Sequence, residues 1–597
     1  MGRVTASLKL RQNATKTRKE IKTKDTRRSS KQQTKPPETS RSPLLFPAGD
    51  TAFKAILSAR FSAAIWSHIT DCDETFNYWE PMHFLIFGKG LQTWEYSPVY
   101  ALRSYTYILF HAVPALIYQK LFQPNPLLIF YFTRCLLGLL AVFFEVYFYK
   151  AVCREFGIHI GRLCLAFLLF SPGMFISSTA FLPSSFAMYM FMGACAAWWG
   201  RKYNLAVFFT ALGSLLGWPF AALLGVPIAY DMLVRQKLYK DFVMWSSISA
   251  VVILVPMTII DSMYYGRLVI APLNIVKYNV LGGAGPELYG TEPFSFYFIN
   301  GFLNFNFVWV LALLSPIAIT AYYLFVPTKQ PTTFTLPYWI SLSPILLWMV
   351  VFLLQPHKEE RFLFPIYPMI CLCGAIALDV IQKLTFRVWT IFNTMPSGTH
   401  YLDKTMFIMY FTIIITSLMG ISRICALYTY YHAPMDLLME VNKYPLDFKV
   451  PEKSNINVCI GKDWHRFPNS FFLPNTQWDI RFIKSEFDGM LPAPYATTEN
   501  ATSIVHDYFN DQNLENPNVY ININKCHFLL DLDLGKETTL EPNYGSMNNR
   551  WKLISSYTFL NNEKSSQFFR AFYIPYISYK YIEFGNFSLL RTKYIWK

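Results

Sequence analysis

The chain has 597 residues, of which 53% are apolar and only 15% charged, and it carries a net charge of +15. The apolar residues gather in runs close to twenty long, which excludes a string of ordinary soluble domains and argues for a polytopic membrane protein with one membrane domain and one soluble tail. The charge is uneven, because residues 1–50 hold thirteen Lys or Arg against four Asp or Glu, +9 of the total. No aromatic side chains interleave those basic residues, which argues against a nucleic-acid partner.

Taken in order, residues 1–50 read as a disordered basic arm, the cytosolic flank of the first span. The first apolar segment follows some fifty polar residues and has no short hydrophobic core with a small-residue cleavage site, so it is expected to act as an uncleaved anchor. That segment, roughly 53–70, is the weakest candidate span, since it carries Lys54, Arg60 and His68. Stronger candidates follow at roughly 103–122, 127–150, 158–179, 182–200, 204–228, 241–261, 302–326, 336–355, 362–384 and 404–428, about eleven in all. An odd count places the C-terminal tail across the membrane from the arm. Arg235, Lys237, Lys240, Lys383, Arg387 and Lys404 agree with this by the positive-inside rule, whereas Lys150, Arg154, Arg201 and Lys202 fall on the other side. Six prolines (114, 172, 219, 256, 316 and 344) lie within these segments and read as packing kinks.

Residues 51–430 thus form the expected membrane domain, and 431–597 a soluble α+β tail in which Val519–Ile523 and Phe528–Leu534 read as strands. Acceptor patterns for N-glycosylation occur at Asn500 and Asn586 in the tail, and at Asn13 in the arm, where a cytosolic site stays silent. Of ten cysteines, six lie inside candidate spans as packing groups, while Cys459 and Cys526 are the one pair in the tail and the disulfide candidate there.

Two polar islands interrupt the apolar pattern. The first, residues 68–105, places Asp71, Asp73 and Glu74 within four residues, followed by Trp94, Glu95, Tyr96 and Arg103. Like charges so close raise at least one pKa unless a cation stands opposite, and Arg103 is a candidate cation if the loop folds back. Asp71-x-Asp73 also matches a short metal-holding motif, but two carboxylates are too few to specify a site and no glycine-rich nucleotide turn accompanies them, so catalysis without a metal is favoured. The second island is Gln355-Pro-His-Lys-Glu-Glu-Arg361, whose His357, Lys358 and Arg361 are candidates for gripping a lipid phosphate. The loop before residue 302, with Tyr289 and Glu292, is a candidate lid.

The first loop, Asp-Cys-Asp-Glu-Thr-Phe-Asn-Tyr-Trp-Glu-Pro followed by Tyr-Ser-Pro and Arg103, resembles that of the dolichol-phosphate-mannose-dependent mannosyltransferases. Within that group it resembles the alpha-1,2 branch of asparagine-linked glycosylation in the endoplasmic reticulum. Phe-Leu-Pro-Ser-Ser (181–185), Gly-Trp-Pro-Phe (217–220), Tyr-Gly-Thr-Glu-Pro (289–293) and His-Lys-Glu-Glu-Arg-Phe (357–362) extend the resemblance over nearly all of the chain beyond the arm. It implies a multispan lipid-donor glycosyltransferase fold (GT-C-like) with its catalytic acid in the first luminal loop. It also implies inverting transfer of mannose from dolichol-phosphate-mannose to lipid-linked oligosaccharides with six or eight mannoses, without a cofactor. Asp73-Glu74 matches the family's acid pair, which makes Asp73 the expected base. The cations at 357–361 are expected near the donor lipid. A polyprenol-lipid carrier explains many spans equally well, yet the two halves show no self-similarity, and a non-catalytic subunit predicts that the loop acids are dispensable.

Overall fold

The computed structural model describes residues 47–282, 286–326, 336–393, 396, 398–443 and 455–594. The basic arm with Asn13 lies outside them, save its last four residues.

Each expected apolar segment is helical in whole or in part. The first, α1 (Gly49–Trp66), tolerates its charges for a local reason: Lys54 is exposed, whereas the fully buried Arg60 forks onto Glu145 at 2.7 and 2.8 Å and also donates to the carbonyls of Leu168 and Met174. A buried pair is sustained only by this kind of saturation, and removing one partner costs about 3–5 kcal/mol. After a short α2 (Glu80–Phe87), the chain runs through α3 (Tyr105–Phe122), α4 (Pro126–Glu155), α5 (Ile158–Phe170), α6 (Pro172–Ser177), α7 (Pro183–Trp199) and α8 (Tyr203–Leu212). Then come α9 (Tyr239–Tyr265), α10 (Ala271–Leu281), α11 (Phe296–Phe305), α12 (Phe307–Phe325), α13 (Tyr338–Leu354), α14 (Tyr367–Phe392), α15 (Tyr401–Tyr431) and α16 (Ala433–Lys443).

Three expected spans are broken, one of them (302–326) at Asn306, which stands between α11 and α12 at φ 45°. Ser171-Pro172 separates α5 from α6, and Gly217-Trp218-Pro219 follows a wide turn at 213–217 with an extended Trp218 before tighter turns at 219–225. Proline cannot donate a backbone N–H, so Pro172 and Pro219 start new helical turns while Pro114, Pro256, Pro316 and Pro344 stand inside continuous helices. Among the described residues five helical segments are long and apolar enough to cross a membrane: 126–155, 239–265, 307–325, 360–392 and 401–431. The segment holding α14 has 94% of its apolar window buried, against 17–44% for the other four, so it is the axis of the bundle and the others turn a face outward.

The tail is built on a five-stranded mixed sheet in the order β3-β2-β5-β7-β6, with β2 (Ile456–Ile460), β3 (Trp478–Phe482), β5 (Phe528–Asp533), β6 (Trp551–Leu560) and β7 (Phe584–Thr592). β2 is parallel to β3 and β5; β7 is antiparallel to β5 and β6. Cys459 on β2 and Cys526 just before β5 form a disulfide. Val519–Ile523 is not a strand. Asn516 and Asn522 turn the chain there by accepting from the backbone N–H two residues on, a local alternative to a sheet ladder.

Candidate active site

The acid loop is shaped by its own side chains. Asp71 accepts from Asp73 N at 2.9 Å and so caps the turn Cys72–Glu74, after which a wide turn over Thr75–Trp79 leads into α2. Beyond Gly88, in the left-handed conformation at φ 74°, Leu91–Gln92 (β1) pairs antiparallel with Ala493–Pro494 (β4) of the tail.

The structure brings the two polar islands together across 290 residues of sequence. Arg361 Nη2 lies 2.6 Å from Asp73 Oδ2, Nη1 lies 3.3 Å from Asp71, and Nε pairs with Glu359. Arg103 approaches from the other side, with Nε and Nη2 forked onto Glu95 at 3.0 and 2.8 Å, Nη1 donating to Tyr78 Oη at 2.8 Å, and Nη2 3.8 Å from Asp73 Oδ2. Asp73 therefore sits between two guanidiniums, and the nearer is Arg361 rather than Arg103. At 32% exposed against 22% for Asp71, its side chain is the more open of the two acids.

Burial pushes Asp71 up from its ordinary 3.8 to about 7; Arg361 works against this, and the Asp73 and Glu359 carboxylates work with it. Burial also favours neutral Glu359, but Arg361 and His357 override it and hold that carboxyl down at about 2. His357 faces Gly290 O at 2.7 Å and Glu359 Oε1 at 3.1 Å. Both are acceptors, so an imidazolium satisfies both; its pKa is raised, chiefly by the Glu359 hydrogen bond.

Other expected site residues face elsewhere. Lys358 is buried, and its ammonium donates to the backbone carbonyls of Glu292 (3.0 Å) and Gln355 (2.5 Å) instead of facing the acids; with Glu292 N on Pro356 O at 3.0 Å it ties the loop bearing Tyr289 and Glu292 to 355–358. Glu74 turns inward to accept from Trp79 Nε1 and Phe181 N, each at 3.0 Å. Tyr96 is buried, its hydroxyl donating to Asn77 O at 2.8 Å, and Trp94 packs on Tyr100 and Tyr278. Of these, Tyr96 braces the loop's own backbone, while Glu74 ties the loop to Phe181. Tyr289, Asn500 and Asn586 are exposed.

The sequence assigned no role to Tyr78, Glu359 or Glu80. Glu80 is fully buried and accepts from Ser470 N (2.7 Å), Ser470 Oγ (3.0 Å) and Leu91 N (3.0 Å), while Thr75 donates to the carbonyls of Phe467 and Pro468. The one available signal was a carboxylate inside an otherwise apolar helix.

Beside Arg103 lies a groove open to solvent, with about 390 Å³ of empty space, lined by Tyr78, Pro183, Trp218, Met257 and Pro272 among others. Trp218 stacks on Phe362 at 5.3 Å, so the motifs at 181–185, 217–220 and 357–362 converge on one place. Asp71, Cys72 and Asp73 offer ligand atoms within 4.8 Å of one another, but Arg361 already pairs with both carboxylates, and a divalent ion has to displace it.

A multispan helical membrane body, a C-terminal mixed sheet and a carboxylate–guanidinium cluster beside an apolar groove define a membrane glycosyltransferase. The model of the Alg9-like mannosyltransferase family matches residues 51–474, and the chain belongs to that family. It is 54% identical over 549 residues to alpha-1,2-mannosyltransferase Alg9 of Drosophila melanogaster, covering 92% of this chain and 88% of the relative. It is 50% identical to the Homo sapiens relative of that name (92% and 89%) and 31% identical to that of Saccharomyces cerevisiae (85% and 89%). Among solved structures, ArnT from Cupriavidus metallidurans bound to undecaprenyl phosphate is similar over 73% of this chain and 86% of that one, with 11% identity and a TM-score of 0.47. The chain is thus a multi-pass membrane mannosyltransferase.

Proposed function

We propose that the enzyme transfers mannose with inversion from dolichol-phosphate-mannose to a lipid-linked oligosaccharide, forming alpha-1,2 linkages on acceptors with six and eight mannoses in N-glycan precursor assembly. It works in the endoplasmic reticulum membrane, with residues 1–50 cytosolic, 51–430 as the catalytic membrane domain, and 431–597 luminal. The observation that carries this reading is Arg361 shared by Asp71, Asp73 and Glu359 beside the groove of Tyr78, Arg103 and Trp218. The groove's apolar walls suit a polyprenyl chain, and a guanidinium fork suits its phosphate.

In this mechanism the acceptor hydroxyl oxygen attacks C1 of mannose on the face opposite the phosphate. The C1–O bond to phosphate breaks, its electron pair leaves with dolichyl phosphate, and the hydroxyl proton passes to Asp73. Both guanidinium contacts of Asp73 fall on Oδ2, so Oδ1 is the oxygen presented to the hydroxyl. Arg361 offsets charge on the departing phosphate, and Arg103, fixed by Glu95 and Tyr78, holds Asp73 in place. No metal takes part in these steps.

The test is transfer of labelled mannose from the dolichyl donor to defined lipid-linked acceptors by purified protein, with linkage read by alpha-1,2-specific mannosidase. A product resistant to that mannosidase, or no product with an active preparation, rejects the reading.

A further inference from the structure

Past the sheet, residues 567–581 return to the membrane domain. Tyr573 N donates to Ser422 O at 3.2 Å, Ser422 Oγ to Tyr573 O at 2.9 Å, and Arg423 Nη1 to Ala571 O at 3.1 Å, while the Tyr573 ring lies 6.1 Å from that of Tyr430. These contacts fix the segment to a definite level of α15. Between Lys404 and Arg423 that helix has no Asp, Glu, Lys or Arg. Those eighteen residues rise about 27 Å at about 1.5 Å each, nearly the whole hydrocarbon thickness of about 30 Å. A span entered at Lys404 has crossed most of the hydrocarbon by Arg423, so Ala571 and Tyr573 are bonded to α15 near its tail-side edge. Only 22% of the apolar window of α15 is buried, and Leu418 and Ile421, just below the contact, are exposed.

Flanking these contacts the segment displays Phe568, Tyr576, Ile577, Tyr579 and Tyr581, all exposed, together with Lys580. Tyr576 is 90% exposed and holds φ at 65°, a conformation rare for a bulky residue. The turn is closed around it by Ile574 N on Ser578 Oγ at 2.8 Å and Ser578 N on Ile574 O at 3.0 Å. Tyrosines with a lysine at the edge of the hydrocarbon match what the headgroup region accommodates: a ring with an apolar body and a polar tip, and a cation for anionic lipid.

We propose that residues 568–581 are a membrane foot of the tail, with Phe568, Tyr576, Ile577, Tyr579 and Tyr581 seated in the boundary between headgroups and acyl chains beside α15. The foot fixes the height of the tail over the bilayer independently of the acid-loop contacts.

The test uses the full chain in nanodiscs of phosphatidylcholine with phosphatidylserine, spin-labelled through Tyr576→Cys and, separately, Phe568→Cys. Lys536→Cys, at a highly exposed tail lysine, is the aqueous reference, and the unsubstituted chain gives the background from native cysteines. The expected result is a several-fold higher ratio of oxygen to water-soluble nickel collisions at 576 and 568 than at 536. Equal ratios at all three positions mean that the segment faces water and overturn the proposal. An immobilised label shielded from both reagents means that protein covers the surface and equally overturns it. Two independent positions guard against one cysteine disturbing the turn.

Discussion

Arg361 carries five N–H donors, and Asp71, Asp73 and Glu359 draw on at least three of them, so a phosphate that engages it competes with acids of its own charge sign. Asp71 decides how strongly, because burial pushes its carboxyl up to about 7. Above that pH it is ionised and holds the guanidinium; below it, it is neutral and lets go. KM for the donor is therefore expected to rise as pH increases through about 7, and the rise should disappear in Asp71→Asn, as measured by donor titrations from pH 6 to 8. Asp73→Asn keeps the size of the side chain but removes the basic oxygen, so transfer should fall by roughly 10²–10⁴ with donor binding retained. A fully active Asp73→Asn beside an inactive Asp71→Asn would move the base to the neighbouring acid. At this scale the sequence was legible where chemistry is contiguous, in Asp71–Glu74 and His357–Arg361. It was blind to direction: a four-residue acidic run does not say that Glu74 points inward, nor an H-K-E-E-R run that Lys358 ties down backbone carbonyls.

Between elements, the acid loop is held from the tail side as much as from the membrane side. Glu80 receives three donors in a fully buried setting, two of them from Ser470, and burial pushes its carboxyl up from 4.5 to about 7. The folded state then binds more protons than the unfolded state between about 4.5 and about 7, so this group makes stability fall as pH rises through that window. Glu80→Gln should flatten that part of the Tm-against-pH curve. Its amide nitrogen also has to face a donor, at a cost of about 1–3 kcal/mol, and kcat should drop more than donor KM changes, since the loop and not the groove is disturbed. Within the membrane body, α15 approaches the α5–α6 junction at Gly420, where an added Cβ would stand 2.0 Å from Phe170 O. A backbone carbonyl cannot rotate away as a side chain does. Gly420→Ala should separate the helices and lower the Tm by an amount equivalent to about 1–3 kcal/mol or more, read by thermal unfolding in detergent. Neither contact was readable beforehand, because one joins residues 390 apart and the other depends on which face of a helix meets a break in its neighbour.

For the whole molecule, hydropathy located the helical segments well because every backbone group in lipid must be satisfied within its own helix. It missed the breaks at Ser171-Pro172, Gly217-Trp218-Pro219 and Asn306, it missed α10, and it merged the end of α11 with α12. Side-of-membrane assignment rests on charge and span parity, and those two disagree at Lys150, Arg154, Arg201 and Lys202. Arg235 shows how a basic loop residue is accounted for locally, since it pairs with the buried Asp231 at 2.8 Å. The tail supplies a direct test of orientation, because Asn500 and Asn586 are both exposed and Asn586 lies on β7, inside the folded sheet. If the tail is luminal, glycosidase treatment should increase the gel mobility of the wild-type chain and leave an Asn500→Gln, Asn586→Gln double variant unchanged, and protease added outside sealed microsomes should spare the tail. A tail digested by that protease would reverse the orientation, and with it the side of the membrane on which Asp73 and Arg361 meet the donor.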